Sequence, residues 1–139
     1  MMVIVDTSVW SLALRRNKRR KTELAEIMHE LTELIGEFRA AMLGPIRQEI
    51  LSGIRTPEHF SELMEKLRAF DDTAIETEDY EKAAEFFSLC RGKGIQGSHI
   101  DFLICAVAFR KNLSIFTTDK DFELYAEHLP ITLHAPRKL

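Results

Sequence analysis

The sequence predicts an α/β fold: one domain over residues 1–139, with a central parallel sheet of about five short strands flanked by helices on both faces. Two observations carry this. Short apolar runs that lack the alternation of a half-exposed strand read as strands buried on both faces. Between them lie longer segments whose apolar residues recur every three or four positions, the spacing of an amphipathic helix. Strands alternating with helices in this way build parallel sheets. The chain has 139 residues, 45% of them hydrophobic and 29% charged, a composition typical of a globular protein. A domain of this size buries roughly two thirds of the surface its unfolded chain exposes, so no staple is needed.

The first element is the strand VIV at 3–5, cut off by Asp6, with a helix beginning near Val9. Leu24, Ile27, Met28, Leu31, Leu34, Ile35 and Phe38 then mark an amphipathic helix. Residues 40–43 form a weaker strand, closed by Gly44-Pro45. Pro suits a first helical turn and Gly an end, so Pro45 and Gly53 frame a short helix over 46–52. Phe60, Leu63, Met64 and Leu67 mark the next helix, and 73–76 a further strand. Tyr80, Ala83, Ala84, Phe87 and Cys90 give a helix ended by the GKG at 92–94. The most apolar helix spans 99–111, followed by a strand at 113–116, a short helix at 122–128 and a last strand at 131–133. No internal repeat or linker interrupts this order.

Several classes are disfavoured. Asp6 cuts the first apolar run too short for a secretory signal, and the run 102–109 is far below the roughly 20 residues that cross a bilayer. Cys90 and Cys105 fall in helical segments and read as reduced core thiols, so a cytoplasmic location is expected. The net charge of −3 argues against a uniformly basic nucleic-acid binder. However, RRNKRRK at 15–21 gathers six cations, Arg15, Arg16, Lys18, Arg19, Arg20 and Lys21, within seven positions. That cluster reads either as a phosphate-gripping patch or as a solvated loop.

Ligands of open α/β sheets bind beyond the carboxyl ends of the strands, and four acids converge there. Asp6 ends the first strand, and Asp119 follows the strand ending at Phe116 through Thr117-Thr118. Glu49 lies one turn into the helix that follows the second strand. The helix over 99–111 leads almost directly into a strand, so it runs antiparallel to it and its first turn, with Asp101, reaches the same edge. Asp121 stands close behind. Two like charges about 4 Å apart repel by about 4 kcal/mol at an effective dielectric near 20, so such a cluster calls for a cation or protons. Oxygen ligands without His or Cys suit Mg²⁺ or Mn²⁺.

Each acid also has an ordinary reading. Asp6 could cap the helix behind it. Ser98-His99-Ile100-Asp101 and Thr118-Asp119-Lys120-Asp121 both have the form of a capping box, and Glu on a short helix is usually solvated. Against this, Asp101 shares a face with Ile104, Cys105 and Ala108, and Glu49 shares a stripe with Ile46, Ile50 and Gly53, both expected to face inward. The coincidence of four acids carries the argument. Trp10 reads as core more readily than as a base-stacking ring, His99 as a surface residue more readily than a general base, and Cys105 as core rather than nucleophile.

With these segments placed, VIVDTSVW, PIRQEILSG, SHIDFLICAVA and IFTTDKDF together resemble the four acidic motifs of PIN-domain proteins, specifically VapC-type toxin ribonucleases, over the whole chain. The resemblance implies that Asp6, Glu49, Asp101 and Asp119 bind a catalytic Mg²⁺ or Mn²⁺. Thr117 and Ser8 would support the cluster, although Thr117 also reads as an ordinary strand-end residue and Ser8 as a helix start. Asp121 sits where family members vary. The implied activity is a metal-dependent endoribonuclease, the toxin of a type II toxin–antitoxin system, acting on RNA, homodimeric and inhibited by a cognate VapB-type antitoxin. The alternative is a non-catalytic RNA-binding or scaffold PIN domain. A dehalogenase-type phosphatase would need an acid where Ser8 stands, and a receiver domain an acidic pair near the first strand.

Overall fold

The computed structural model describes residues 1–14 and 21–139, with the Lys21 side chain left out. The basic cluster, Arg15, Arg16, Lys18, Arg19, Arg20 and the Lys21 side chain, therefore lies outside the described residues. Strand β1 (Val3–Val5) is buried throughout, as a strand apolar on both faces must be. It occupies the centre of a parallel sheet in the order β2-β1-β3, with β2 at Ala40–Ala41 and β3 at Ser114–Phe116. Val3 pairs with Ala40 on one side and Ser114 on the other, and Val5 pairs with Phe116. This register ends β1 and β3 side by side, so Asp6 and Thr117 leave the sheet as neighbours.

Among the described residues the expected five strands resolve into three strands and two single bridges. Asp72 bridges Met42 at one edge, and Leu133 bridges Ile115 at the other, both parallel. The segment at 73–76 contributes one ladder bond, from Thr73 N to Met42 O. Two bonds flank Leu133, Ile115 N to Thr132 O and His134 N to Ile115 O, while the Ile131 amide turns back to Leu129 O. These outer segments bury less apolar surface than the three central strands, so little holds them in an extended ladder.

Helices flank the sheet. Helix α1 (Thr7–Leu14) packs with α2 (Lys21–Gly36) and α3 (Gly44–Ser52), and α3 packs with α4 (Pro57–Leu67). Leu31 and Leu34 form the buried stripe of α2, whereas Met28 and Ile35 are exposed at its margin. Pro45 lies in the first turn of α3 and Gly53 caps its end, as the sequence implies. Trp10 is buried edge-on against Phe70, in the core position expected of it. Arg47 of α3 ties down the segment after α4 by donating to Asp72 Oδ1 at 3.0 Å and Leu67 O at 2.9 Å. Helix α5 (Thr77–Gly92) opens with a capping box between Glu76 and Asp79 and lies along α6 (His99–Lys111). Residues 102–108 of α6 are all buried, which makes it the core's central helix. Asn112 ends it in the left-handed conformation, a position Asn tolerates. Helix α7 (Asp121–His128) buries Phe122 and Tyr125. Among the described residues no helix is long and apolar enough to cross a membrane.

Two buried acids are held by cations. Asp79, fully buried, receives Arg110 Nη1 at 2.7 Å. Glu30, 1% exposed, pairs with His134 and with Arg137 Nε at 2.6 Å, fastening the C-terminal segment to α2. In both, burial pushes the carboxyl upward but its partners outweigh that and hold it below its ordinary value. Phe38, just after α2, has the opposite character: it is 88% exposed and adopts φ 57°. The left-handed region costs a side chain with a Cβ about 1–2 kcal/mol, part of which glycine returns through the entropy of its unfolded chain. Phe38→Gly should therefore stabilise the protein by about 0.5–1 kcal/mol, read as an upward shift of the urea unfolding midpoint. An unchanged or lower midpoint would refute it.

Candidate metal centre

The site is built from the ends of β1 and β3. The Asp6 amide continues the sheet by donating to Phe116 O at 2.9 Å, and its carbonyl accepts Val9 N at 3.0 Å, starting α1. Its side chain does not cap that helix. Instead Asp6 Oδ2 accepts the hydroxyls of Ser8 and Thr117, each at 2.8 Å, and Asp6 is only 7% exposed. Ser8 Oγ also accepts Thr118 N at 3.0 Å. Ser8 and Thr117 thus join the two strand ends through Asp6.

After β3 the backbone climbs in steps of two. Thr117 Oγ1 accepts Asp119 N at 3.0 Å, and Asp119 Oδ1 accepts Asp121 N at 2.9 Å. The capping box expected from Thr118 does not form: Lys120 occupies the cap position without a side-chain bond. Asp119 serves the helix start instead, its carboxylate accepting the amide two residues on in an Asx-type turn. On α6 the expected cap is present, with Ser98 Oγ accepting Asp101 N at 3.0 Å. Asp101 is half-buried in the first turn of α6.

Asp101, Asp119 and Asp121 each bring one carboxylate oxygen within 4.8 Å of the others. Asp6 stands outside this trio, but its charge still acts on Asp101. Burial pushes the Asp101 carboxyl up from its ordinary value. Hydrogen bonds from Tyr125 and Ser98 oppose the rise, while the Asp119 and Asp6 charges reinforce it. Glu49 departs from expectation. Ile46 and Ile50 are buried, but Glu49 is exposed and is not one of the trio. It lies about 60° round the helix from Ile46, on the flank of the buried stripe, where a carboxylate keeps its hydration. Asp121, the acid the sequence left least defined, is in the trio.

Sequence reasoning missed Tyr125. Fully buried, it donates its hydroxyl to Asp101 Oδ2 at 2.8 Å. Burial and that bond push its phenol upward, so the proton stays on the oxygen. The available signal was a tyrosine four positions after Asp121 on the apolar face of a helix: a polar tip that needs a buried partner. His99 points elsewhere, with its ring stacked on Phe87 at 4.9 Å between centroids. Cys105 is fully buried, and burial, with the Asp101 charge next, pushes its thiol upward. An inert core thiol is the result.

The donor set fits a hard divalent cation. It is all carboxylate, converges on one point and contains no His or Cys. The sign of the linkage at Asp101 follows from its raised pKa. The folded chain retains a proton there that the unfolded chain has released, so the group costs stability above its folded pKa, and that cost fades as pH falls through it. Asp101→Asn should accordingly raise the melting temperature of the metal-free protein at pH 7, with the gain shrinking as the pH is lowered into the carboxylate range. A variant that melts below wild type at pH 7 would contradict this.

Comparison with known proteins agrees with the geometry. The PIN domain pattern matches residues 3–128. Among solved structures, the chain is similar to FitAcB of Neisseria gonorrhoeae, with TM-score 0.76 and 19% identity over 97% of this chain and 98% of that one. It is also similar to VapBC2 of Rickettsia felis bound to a promoter DNA fragment, with TM-score 0.74 and 17% identity over 96% and 98%. DNA-bound VapBC of Salmonella typhimurium gives TM-score 0.71 and 16% identity over 96% and 97%. A search of curated protein sequences finds no match. On the sheet order, the acids at its carboxyl edge and a family match spanning nearly all of its elements, the chain belongs to the PIN domain family.

Proposed function

We propose that the protein is a metal-dependent endoribonuclease and the toxin component of a type II toxin–antitoxin system. The observation that carries this is the convergence of Asp101, Asp119 and Asp121 within 4.8 Å, beside an Asp6 whose orientation two hydroxyls fix. Asp6, Asp101 and Asp119 would hold Mg²⁺ or Mn²⁺, with Asp121 as a further ligand and Glu49 contributing from the rim, through water. When bound, the cation supplies Lewis-acid stabilisation of a phosphodiester and lowers the pKa of water at neutral pH. The chain's own part is to orient carboxylates at a solvent-accessible edge. Ser8 and Thr117 keep Asp6 from rotating, and the Thr117-Asp119-Asp121 steps fix the other two side chains relative to it.

Likeness in fold to FitAcB and VapBC chains supports the toxin reading and a VapB-type antitoxin as partner; a homodimeric state and action in the cytoplasm are proposed with it. Affinity for RNA would come from cations around the acidic edge. Arg15, Arg16, Lys18, Arg19, Arg20 and Lys21, which follow α1 in sequence, are assigned that role.

In the central test, purified wild type with Mg²⁺ or Mn²⁺ should cleave RNA, leaving 5′-phosphate and 3′-hydroxyl ends, because attack by water requires no 2′-hydroxyl. Asp6→Asn and added chelator should each reduce cleavage to the buffer blank. Cleavage by Asp6→Asn as fast as wild type would remove the nuclease assignment and favour a non-catalytic PIN domain. A second test concerns the basic cluster. Replacing four of its cations by Gln should weaken binding to single-stranded RNA and flatten the dependence of affinity on salt, by up to about 0.7 in slope for each phosphate no longer neutralised. An unchanged salt slope would reject that assignment.

A further inference from the structure

Four acidic motifs account for the carboxylates of the centre but not for the hydroxyl that reaches into it. We propose that Tyr125 is a positioning residue of this centre: its hydroxyl sets the rotation of the Asp101 carboxylate, and Gly97 supplies the clearance that lets it do so. The proposal rests on reading the acidic cluster as a metal centre.

The ring of Tyr125 is held on several sides. Phe102 and Phe122 pack against it with centroids at 5.0 and 5.2 Å, and the side chain is fully buried. Its hydroxyl donates to Asp101 Oδ2 at 2.8 Å. Asp121 and Tyr125 are four residues apart on α7 and so share one face. The rotation of α7 that brings Asp121 into the trio therefore also brings the hydroxyl to Asp101. Gly97 closes the arrangement. A Cβ there would lie 2.4 Å from the Tyr125 hydroxyl and 2.8 and 2.9 Å from atoms of the Phe102 ring, so any side chain would displace the hydroxyl from Asp101.

The chemistry of the donor matters. Asp101 feels the charges of Asp119 and Asp6, and a carboxylate so placed gains by swinging away from them. A lysine or arginine would hold it but cancel its charge. A tyrosine holds one oxygen with a neutral O–H and leaves the negative charge available to a cation. Phenylalanine would fill the same core volume without this bond, so packing alone does not require the hydroxyl. Outer partners that orient metal-binding carboxylates typically contribute about 10–100-fold to metal affinity.

The experiment uses the full chain, with Mn²⁺ titrated into wild type, Tyr125→Phe, Gly97→Ala and the double variant, and free Mn²⁺ followed by electron paramagnetic resonance. Melting in chelator is recorded alongside, as is the Mn²⁺ concentration giving half-maximal RNA cleavage. Tyr125→Phe should weaken Mn²⁺ binding by about tenfold or more and raise the half-maximal concentration in parallel, while the rate at saturating Mn²⁺ is largely retained. Gly97→Ala should show the same loss, and the double variant no further loss, because both act through one hydrogen bond. Phe86→Leu, a core truncation on α5, should lower the melting temperature and leave Mn²⁺ affinity unchanged. Wild-type affinity in Tyr125→Phe, with binding abolished in Asp6→Asn and Asp101→Asn, overturns the role of Tyr125 and leaves the metal centre standing. Equal binding by wild type, Asp6→Asn and Asp101→Asn, or binding by none of them, overturns the metal centre and this proposal with it.

Discussion

Asp101, Asp119 and Asp121, each with an oxygen within 4.8 Å of the others, repel one another wherever all are ionised, and the fold must hold them together against that. It does so from the backbone outward. β1 and β3 end in register, which places Asp6 beside Thr117 before any side-chain contact is made. Asp101 and Asp121 occupy the first turns of α6 and α7, where the partial positive charge of a helix N-terminus favours an acid. The trio is thus assembled where helix ends offset part of its own repulsion.

Two kinds of acid contrast in this fold, the buried Asp79 and Glu30 and the half-buried Asp101. Asp79 and Glu30 are buried with cations against them, and their carboxyls lie below the ordinary value. Asp101 has no cation partner among the described residues, and its carboxyl is raised. Among the described residues, none of Asp6, Asp101, Asp119 and Asp121 forms an ion pair within the chain, while Arg110, Lys111, Arg137 and Arg47 are all engaged by other acids. The first kind explains itself as structure, because it fastens α5 to α6 and the C-terminal segment to α2. The second kind lowers stability locally, and perturbed carboxylates of this sort cluster at functional sites.

Much of this was legible in the sequence because it depends on chain direction. A parallel sheet sends the ends of β1 and β3 to one edge, and a helix leading directly into β3 must return its own start there, which placed Asp6, Asp101 and Asp119 without any distance being known. Glu49 was less legible. Helical spacing groups it with Ile46 and Ile50, but an angular offset of about 60° is enough to leave a charged head in water. The outer strands failed for a related reason: an edge segment can contribute a single bridge, and apolar content does not separate that from a ladder. Tyr125 left only the signal of a polar tip on an apolar helix face, without naming Asp101 as its partner, and Gly97 left none, because both roles depend on how α7 meets the turn before α6.

That meeting also explains why α7, a helix of only eight residues, matters beyond its length. Its start is set by side chains rather than by a conventional cap: Thr117 holds the Asp119 amide, and Asp119 holds the Asp121 amide. Its middle is set by Phe122 and Tyr125 in the core. The same Thr117 hydroxyl that begins this series also binds Asp6, and Tyr125 binds Asp101 at its other end. The four aspartates are therefore coupled through β3 and α7 as one continuous segment of backbone, and a shift of α7 along or about its axis moves Asp119, Asp121 and the Asp101 hydrogen bond together. Carboxylates coupled in this way keep their relative placement as the charge among them changes, as the proposed metal centre would require.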